Sequence, residues 1–509
     1  MNRRCTGSRS EVANYGDHER VNVWTAWAQH KPNDTAVVTV NRTYTWQQIQ
    51  KTVQQYQQCL INEGVQTHDV VCLVGRAEID LVFAYLACVA HGAIPAMVST
   101  SANINDRLET LYKANEKAYL WDCSDSGIDF TAQSLTRDCR SIRLHSLEHK
   151  SHLEKRASLE VFSDTDLNQR ASIIFTSGST GQPKAVVHTV EQHLASARGL
   201  LERFTYRDTD SWLLSLPMFH VSGLAIIWRW LSVGAQLKLA SGVFSQDIVD
   251  VSHASLVVTQ LKRIIDQRIP NQLKRVLLGG SHIPADLIQQ AQALGIEMWM
   301  GYGMTETAST VTAKLVDQQY SSGTALPNRQ VKLQDQRIQV RGAVLSQGYF
   351  YQGHLRALAL TDGWFDTGDL GRWSENHELL VTGRADNLFI SGGENIHCEE
   401  IEAVLNRLPN IIQAIIVPVG CDEFGARPVA VIQSSNINSD DSEMSPCEWS
   451  SDEKLVMNQR LKGTGLEAFK YPVAYYHLPE SLASSGIKIS RAQVKIWLSS
   501  AQSDYVVIS

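Results

Sequence analysis

Two glycines, a run of hydroxyls and a lysine stand together in Thr176-Ser177-Gly178-Ser179-Thr180-Gly181-Gln182-Pro183-Lys184, a combination suited to phosphate. Small residues let the backbone approach an anion, hydroxyl and N–H groups donate to its oxygens, and Lys184 adds a mobile positive charge. The loop is not of the Walker type, because Gln182 and Pro183 separate Gly181 from Lys184 and Pro183 has no N–H to give. A plain flexible linker of the same composition would need neither the apolar residues before it nor the Pro-Lys pair that closes it. A second constellation lies at Tyr302-Gly303-Met304-Thr305-Glu306-Thr307. There a carboxylate beside hydroxyls suits Mg2+ bound to triphosphate, since magnesium takes oxygen ligands and keeps several waters, and Tyr302 can stack on a base. Between the two, Gly279-Gly280-Ser281 makes a turn at which glycines let a flat ring lie against the backbone.

The elements that must position these groups alternate. Ile173 to Phe175 reads as a buried strand feeding the phosphate loop, and a helical pattern resumes near Glu191. Upstream, the pattern predicts a helix over 23–30, a strand over 36–40, a helix with Ile49, Val53, Tyr56 and Leu60 on one face, a strand over 69–74 and a helix over 79–91. Downstream, a strand ends at Pro217 and a helix carrying Trp228 and Trp230 follows His220. A strand over 275–281 leads to a helix over 283–294 that Pro284 opens near its first turn. This succession implies βαβ units, so the expected fold is α/β with parallel sheets and helices on both faces. A β-rich segment over 331–349 follows, and strands and helices mix again near the C-terminus.

At 509 residues the chain is too long for one core, which predicts two or more domains. A net charge of -7 gives no basic footprint for nucleic acid. No apolar run reaches the ~18 residues of a membrane span, and residues 1–16 lack the apolar centre of a signal peptide. Nine cysteines without a Cys-x-x-Cys pair suit a reducing compartment, so the expected location is cytoplasmic.

The stretch from Thr176 to Lys184 resembles the signature loop of the adenylate-forming enzymes, which include acyl- and aryl-CoA ligases, adenylation domains of peptide synthetases, and luciferases. In that family the loop clamps the phosphates of ATP while a carboxylate attacks the α-phosphate. The resemblance implies ATP contacts from Thr176, Ser177, Gly178, Ser179, Thr180, Gly181 and Lys184, adenine packing by Gly279, Gly280, Ser281, Tyr302 and Gly303, and Mg2+ at Glu306 and Thr176 beside Thr305. Asp369, in Thr367-Gly368-Asp369, resembles the aspartate that holds the ribose hydroxyls, and a carboxylate can accept two such hydrogen bonds. Arg384 resembles the arginine that contacts ribose and phosphate, and Asp386 stands where the family has its interdomain hinge. His220, in Pro217-Met218-Phe219-His220-Val221-Ser222-Gly223, resembles the histidine that lines the acyl pocket and gates the pantetheine tunnel. Gly392 and Gly393 resemble the loop that serves thioester formation, and Lys488 the lysine that stabilises charge during adenylation. Ile487 intervenes before that lysine, a departure from the usual pattern. The implied division is a tail over 1–20, an N-terminal domain over 21–385 that binds ATP and the acid, and a mobile α+β C-terminal domain over 386–509 with a disordered insert over 434–454.

Within this family, the run from His220 to Trp230, the string Thr259-Gln260-Leu261 and Gly486-Ile487-Lys488-Ile489-Ser490-Arg491 resemble the o-succinylbenzoate:CoA ligases of menaquinone synthesis. The resemblance implies an aryl carboxylate, ATP and CoA as partners, and leaves homo-oligomerisation open. Another aryl- or acyl-CoA ligase is the alternative, with a peptide-synthetase module, a luciferase-like oxygenase and an inactive relative behind it. An acid with two carboxylates needs a cation or donors for the one that does not react, because burying it alone costs several kcal/mol. Arg263, Ser222, Ser309 and Thr310 are the expected contacts, with Arg229, between two tryptophans, in reserve.

Overall fold

The computed structural model describes residues 23–100, 102–123, 139–142, 166–176, 184–279, 283–317, 319, 321–434, 448–479, 482, 489 and 491–501. Two large sheets and two smaller ones organise them. The eight-stranded sheet has a parallel centre, Val70–Val74 between Ile94–Val98 and Ala118–Asp122. All five residues of Val70–Val74 and of Ile94–Val98 are buried, as expected of strands covered on both faces. The helix Ile79–His91 joins two of them, is buried from Leu81 to Ala90, and ends at Gly92 in the left-handed conformation that glycine tolerates.

The expected strand and the helix near Glu191 stand at Arg170–Thr176 and Val190–Leu201, with an unforeseen strand between them. Arg170–Thr176 pairs antiparallel with a second strand, Lys184–Thr189, so that Thr176 lies opposite Lys184 and the loop closes a hairpin. Ala185 to His188 are buried apolar or β-branched positions apart from the histidine, and they gain more from a place inside the sheet than from an early helix. The helix Val190–Leu201 then starts at a capping box in which the Thr189 side chain and Gln192 exchange hydrogen bonds with each other's backbone. Gly348–Tyr351 adds to the other edge of Lys184–Thr189, with Tyr349 opposite Val186.

The nine-stranded sheet carries the parallel strands Ser211–Leu214, His253–Val257, Arg275–Gly279 and Glu297–Met304, with Ser309–Leu315 returning antiparallel to the last. Its covering helix Val221–Val233 is buried from Gly223 to Leu231 and packs on Val190–Leu201. Gly223 is required there, because a Cβ would come within 2.1 Å of the Pro217 carbonyl oxygen. A five-stranded antiparallel sheet follows, in which Trp364–Trp373 pairs with Leu379–Arg384.

A last sheet holds Leu388–Ser391, Glu394–His397, Ile411–Cys421, Gly425–Ser434 and Ala474–His477, backed by the helices Cys398–Leu405 and Arg491–Ala501. The expected insert is shorter than 434–454. Ser434 ends a strand, and a helix begins at Ser451, fixed by a Ser450/Glu453 capping box that outweighs the polar composition. The rest of that insert, residues 435–447, and the expected tail over 1–20 lie outside the described residues.

Candidate active site

The strand Lys184–Thr189 presents alternate residues to one face, and Lys184, Val186 and His188 share it. His188 Nε2 meets the Thr305 carbonyl oxygen at 2.7 Å, so this face looks onto the 3-10 turn Thr305–Thr307. Burial lowers the His188 pKa to about 4, so the ring is neutral and donates here as an ordinary N–H. Two residues after the turn, Ala308 and Ser309, hold positive φ values of 48° and 94°, a strained backbone of the kind found where a side chain must be aimed. The side chain so aimed is Glu306, which is buried. One of its oxygens accepts a 3.0 Å hydrogen bond from the Tyr349 hydroxyl, and the other has no partner among the described residues. Lys184 Nζ sits 5.5 Å from the centre of the same Tyr349 ring.

One carboxylate with an oxygen to spare, near the hydroxyl residue Thr176 and the Lys184 end of the phosphate hairpin, is a donor set that fits Mg2+ on a polyphosphate. It does not fit a metal held by protein alone, and no group of three or more His, Cys, Asp or Glu side chains able to hold one occurs among the described residues.

A second group joins Tyr302 of the nine-stranded sheet to Asp369 and Arg384 of the five-stranded sheet. The Tyr302 hydroxyl donates to Asp369 Oδ2 at 2.5 Å, Arg384 donates to Asp369 Oδ1 at 3.0 Å, and Arg384 grips both oxygens of Asp386 at 2.8 and 3.2 Å. Burial first, and then the Asp369 charge, push the Tyr302 phenol far up, so it remains a donor. Gly279 is exposed at the end of its strand, and a Cβ there would meet nothing within 4 Å, which leaves room for a flat ring. Gly303 has another reason to be glycine: a Cβ would stand 1.8 Å from the Ser309 carbonyl oxygen, so the residue serves the hairpin itself.

The expected contacts for the acid divide. His220 caps the helix Val221–Val233, half-buried against Phe219, and burial lowers its pKa. Ser222 and Arg229 stand seven residues apart on that helix and so share a face, about 10 Å apart along the axis. The helix packs on Ser309–Leu315, where the Ser309 and Thr310 hydroxyls lie 3.5 Å apart. Arg263 does not join them: it is exposed on the helix Val258–Asp266, whose apolar face takes Leu261 and Ile264 into the core and turns the arginine to solvent. Arg229 is 2% exposed, its Nε has no hydrogen-bond partner, and no carboxylate pairs with it among the described residues. Its nearest identified neighbours are the Trp212 ring at 5.3 Å and a second buried guanidinium, Arg329. Burial, and then Arg329, lower its pKa to about 9.

The AMP-binding enzyme family model matches residues 24–350, which hold every group so far described except Asp369, Arg384 and Asp386. The chain belongs to the AMP-binding enzyme family. The 2-succinylbenzoate–CoA ligase of Haemophilus influenzae is 36% identical to it over 460 residues, covering 89% of this chain and 92% of that one. The 2-succinylbenzoate–CoA ligase of Escherichia coli K12 is 44% identical over 332 residues, covering 65% and 70%. A solved structure of an Escherichia coli MenE variant with bound OSB-AMS superposes with a TM-score of 0.79 at 34% identity, covering 94% of this chain and 98% of that one.

In this AMP-binding enzyme two of the remaining expected residues lie in the turn between Leu388–Ser391 and Glu394–His397. Gly392 and Gly393 are exposed at φ values of 59° and 87°, which only glycine adopts without strain, and the Gly392 N–H donates to the Phe424 carbonyl oxygen. Ser177, Gly178, Ser179, Thr180, Gly181, Gly280, Ser281 and Lys488 lie outside the described residues. Arg491, close after Lys488, binds Glu399 at 3.1 Å and Glu402 at 2.6 Å, and Glu399 also accepts from Asn387, the neighbour of Asp386. Sequence reading passed over Tyr349 and Glu399. A Gly-Tyr pair in an ordinary strand and an acidic residue in a first helical turn carry no signal by themselves; what makes them informative is which side chains they meet.

Proposed function

We propose that the protein ligates 2-succinylbenzoate to CoA at the expense of ATP, in the menaquinone pathway of the cytoplasm. A carboxylate oxygen of the acid attacks the α-phosphorus of ATP and pyrophosphate leaves. The CoA sulfur then attacks the acyl carbon of the adenylate, AMP leaves, and the thiol proton passes to solvent. Thr176, Lys184 and the loop between them would bind the phosphates, Gly279 and Tyr302 the adenine, Asp369 the ribose, and Arg384 the ribose and phosphate. Glu306 and Thr176 would hold Mg2+, which offsets phosphate charge when bound. Lys488 would stabilise the developing charge at the α-phosphate. Asp386 would be the hinge between domains over 21–385 and 386–509, and Gly392 and Gly393 would approach for the thioester step. The seven cysteines among the described residues are free, which supports a reducing compartment, and no helix among those residues is long and apolar enough to cross a membrane.

The observation that carries the choice of acid is Arg229, a buried cation with no carboxylate partner among the described residues, on the helix face that also bears Ser222. A charge in that position is expensive unless a ligand supplies the partner, and a dicarboxylate does so with the group that does not react. ATP-dependent thioester formation with 2-succinylbenzoate and with benzoylpropionate tests it. The diacid should be preferred by about 100-fold or more, as for a site built to pair a charge. Equal use of both acids would leave an aryl- or acyl-CoA ligase without a second carboxylate site.

A further inference from the structure

Tyr349 touches both charged groups at the phosphate end of the site while carrying no charge of its own. Its strand pairs with Lys184–Thr189 in a register that sets Tyr349 opposite Val186, on the face that also bears Lys184. Its hydroxyl donates to Glu306 Oε1 at 3.0 Å, and its ring carries Lys184 Nζ at 5.5 Å, within the range of a cation–π contact. The backbone holds the same junction, since the Ser346 N–H donates to the Glu306 carbonyl oxygen at 2.8 Å. Burial, and then the Glu306 charge, keep the phenol protonated and hence a donor. No ion pair joins Lys184 to Glu306 among the described residues, although opposite charges flank one ring.

We propose that Tyr349 is a positioning residue that keeps Lys184 and Glu306 apart: its hydroxyl orients the carboxylate and its ring supports the ammonium, so that neither neutralises the other before ATP arrives. The role rests on the reading of this site as the phosphate site. Without the hydroxyl, the carboxylate loses its orienting bond while Lys184 keeps its ring. Without the ring, Lys184 and Glu306 are free to pair, and phosphate must break that pair to bind.

Calorimetric titration of ATP into the intact protein, with Mg2+ and again with EDTA, tests this through binding rather than turnover. Wild-type protein that fails to bind ATP would reject the phosphate-site reading itself. Given wild-type binding, Tyr349→Phe should raise Kd about tenfold with Mg2+, the scale of one hydrogen bond to a charged group, and about twofold or less with EDTA. Tyr349→Leu should raise Kd in both conditions. An unchanged Kd for Tyr349→Phe, or equal losses in the two conditions, overturns the proposal. Thermal melting of each variant identifies general unfolding, and an equal loss that tracks a lower Tm counts against a positioning role.

Discussion

Arg229 holds a charge among tryptophans at a cost to the folded state that a bound carboxylate would offset. Its pKa falls from 12.5 to about 9 on folding, so its charged form is penalised at every pH below about 9. Arg229→Met should therefore leave the ligand-free protein as stable or more stable, by about 1 kcal/mol or more, since replacing a buried charge by an apolar side chain often stabilises. The same change should raise KM for 2-succinylbenzoate by about 10-fold or more with KM for ATP unmoved, whereas exposed Arg263→Ala should alter neither. Melting curves beside steady-state kinetics on both variants check this, and a lower Tm for Arg229→Met with unchanged KM would make the arginine purely structural. The pH dependence has a definite sign. A bound carboxylate favours the charged guanidinium, so affinity for the diacid should be flat between about pH 6, where the ligand carboxylates are ionised, and about pH 9, fall as pH rises further, and lose that upper step in Arg229→Met. The requirement for a cation was legible in the chemistry of a diacid, but its address was not. Arg263 and Arg229 both follow strand ends at helical positions, and only packing turns one to solvent and the other inward.

Elements explain what the sequence conceals. The strand at 70–74, the helix at 79–91 and the one after His220 are apolar runs, and each stands where the sequence pattern puts it. The hairpin at the phosphate loop is different. Five residues from Lys184 to His188 suit a strand end or a helix start equally well, and the decision comes from partners, Arg170–Thr176 on one side and Gly348–Tyr351 on the other. The helix at Ser451–Lys462 was missed, because the polar, acidic composition pointed to an insert while the Ser450/Glu453 capping signature that marks its start went unread. Lys488 precedes the helix Arg491–Ala501 in sequence, and the Arg491 pairs with Glu399 and Glu402 tie the start of that helix to Cys398–Leu405. Lys488→Ala should lose acid-dependent pyrophosphate exchange by about 100-fold, on the scale of removing a donor to a developing oxyanion, while thioester formation from a supplied adenylate survives. Equal loss in both half-reactions, measured separately, would mean that Ile487 shifts the register and another residue does the work.

Across the whole molecule, the order of motifs made the meeting of Asp369, Arg384 and Asp386 legible, because Gly383-Arg384-Ala385-Asp386 follows Thr367-Gly368-Asp369 after one hairpin. The bond between Glu399 and Arg491 was not, since 92 residues separate them and no periodicity spans such a gap. Asp386→Pro should fix φ and hold one domain arrangement, leaving pyrophosphate exchange active while overall thioester formation drops by about 10-fold or more. Asp386→Asn, which weakens the grip on Arg384 without fixing φ, should spare both steps; parallel losses in the two variants would assign the defect to the ion pair. That grip also joins two free energies. Asp369 already receives Tyr302 and Arg384, so an arriving ribose and phosphate must exchange old hydrogen bonds for new ones and draw Arg384 from Asp386. Reciprocity then requires that whatever factor the nucleotide applies to the release of Asp386, the prior release of Asp386 applies to nucleotide affinity. A calorimetric ATP titration of Asp386→Asn therefore measures, as a ratio of two dissociation constants, how firmly the empty protein holds Asp386 to Arg384.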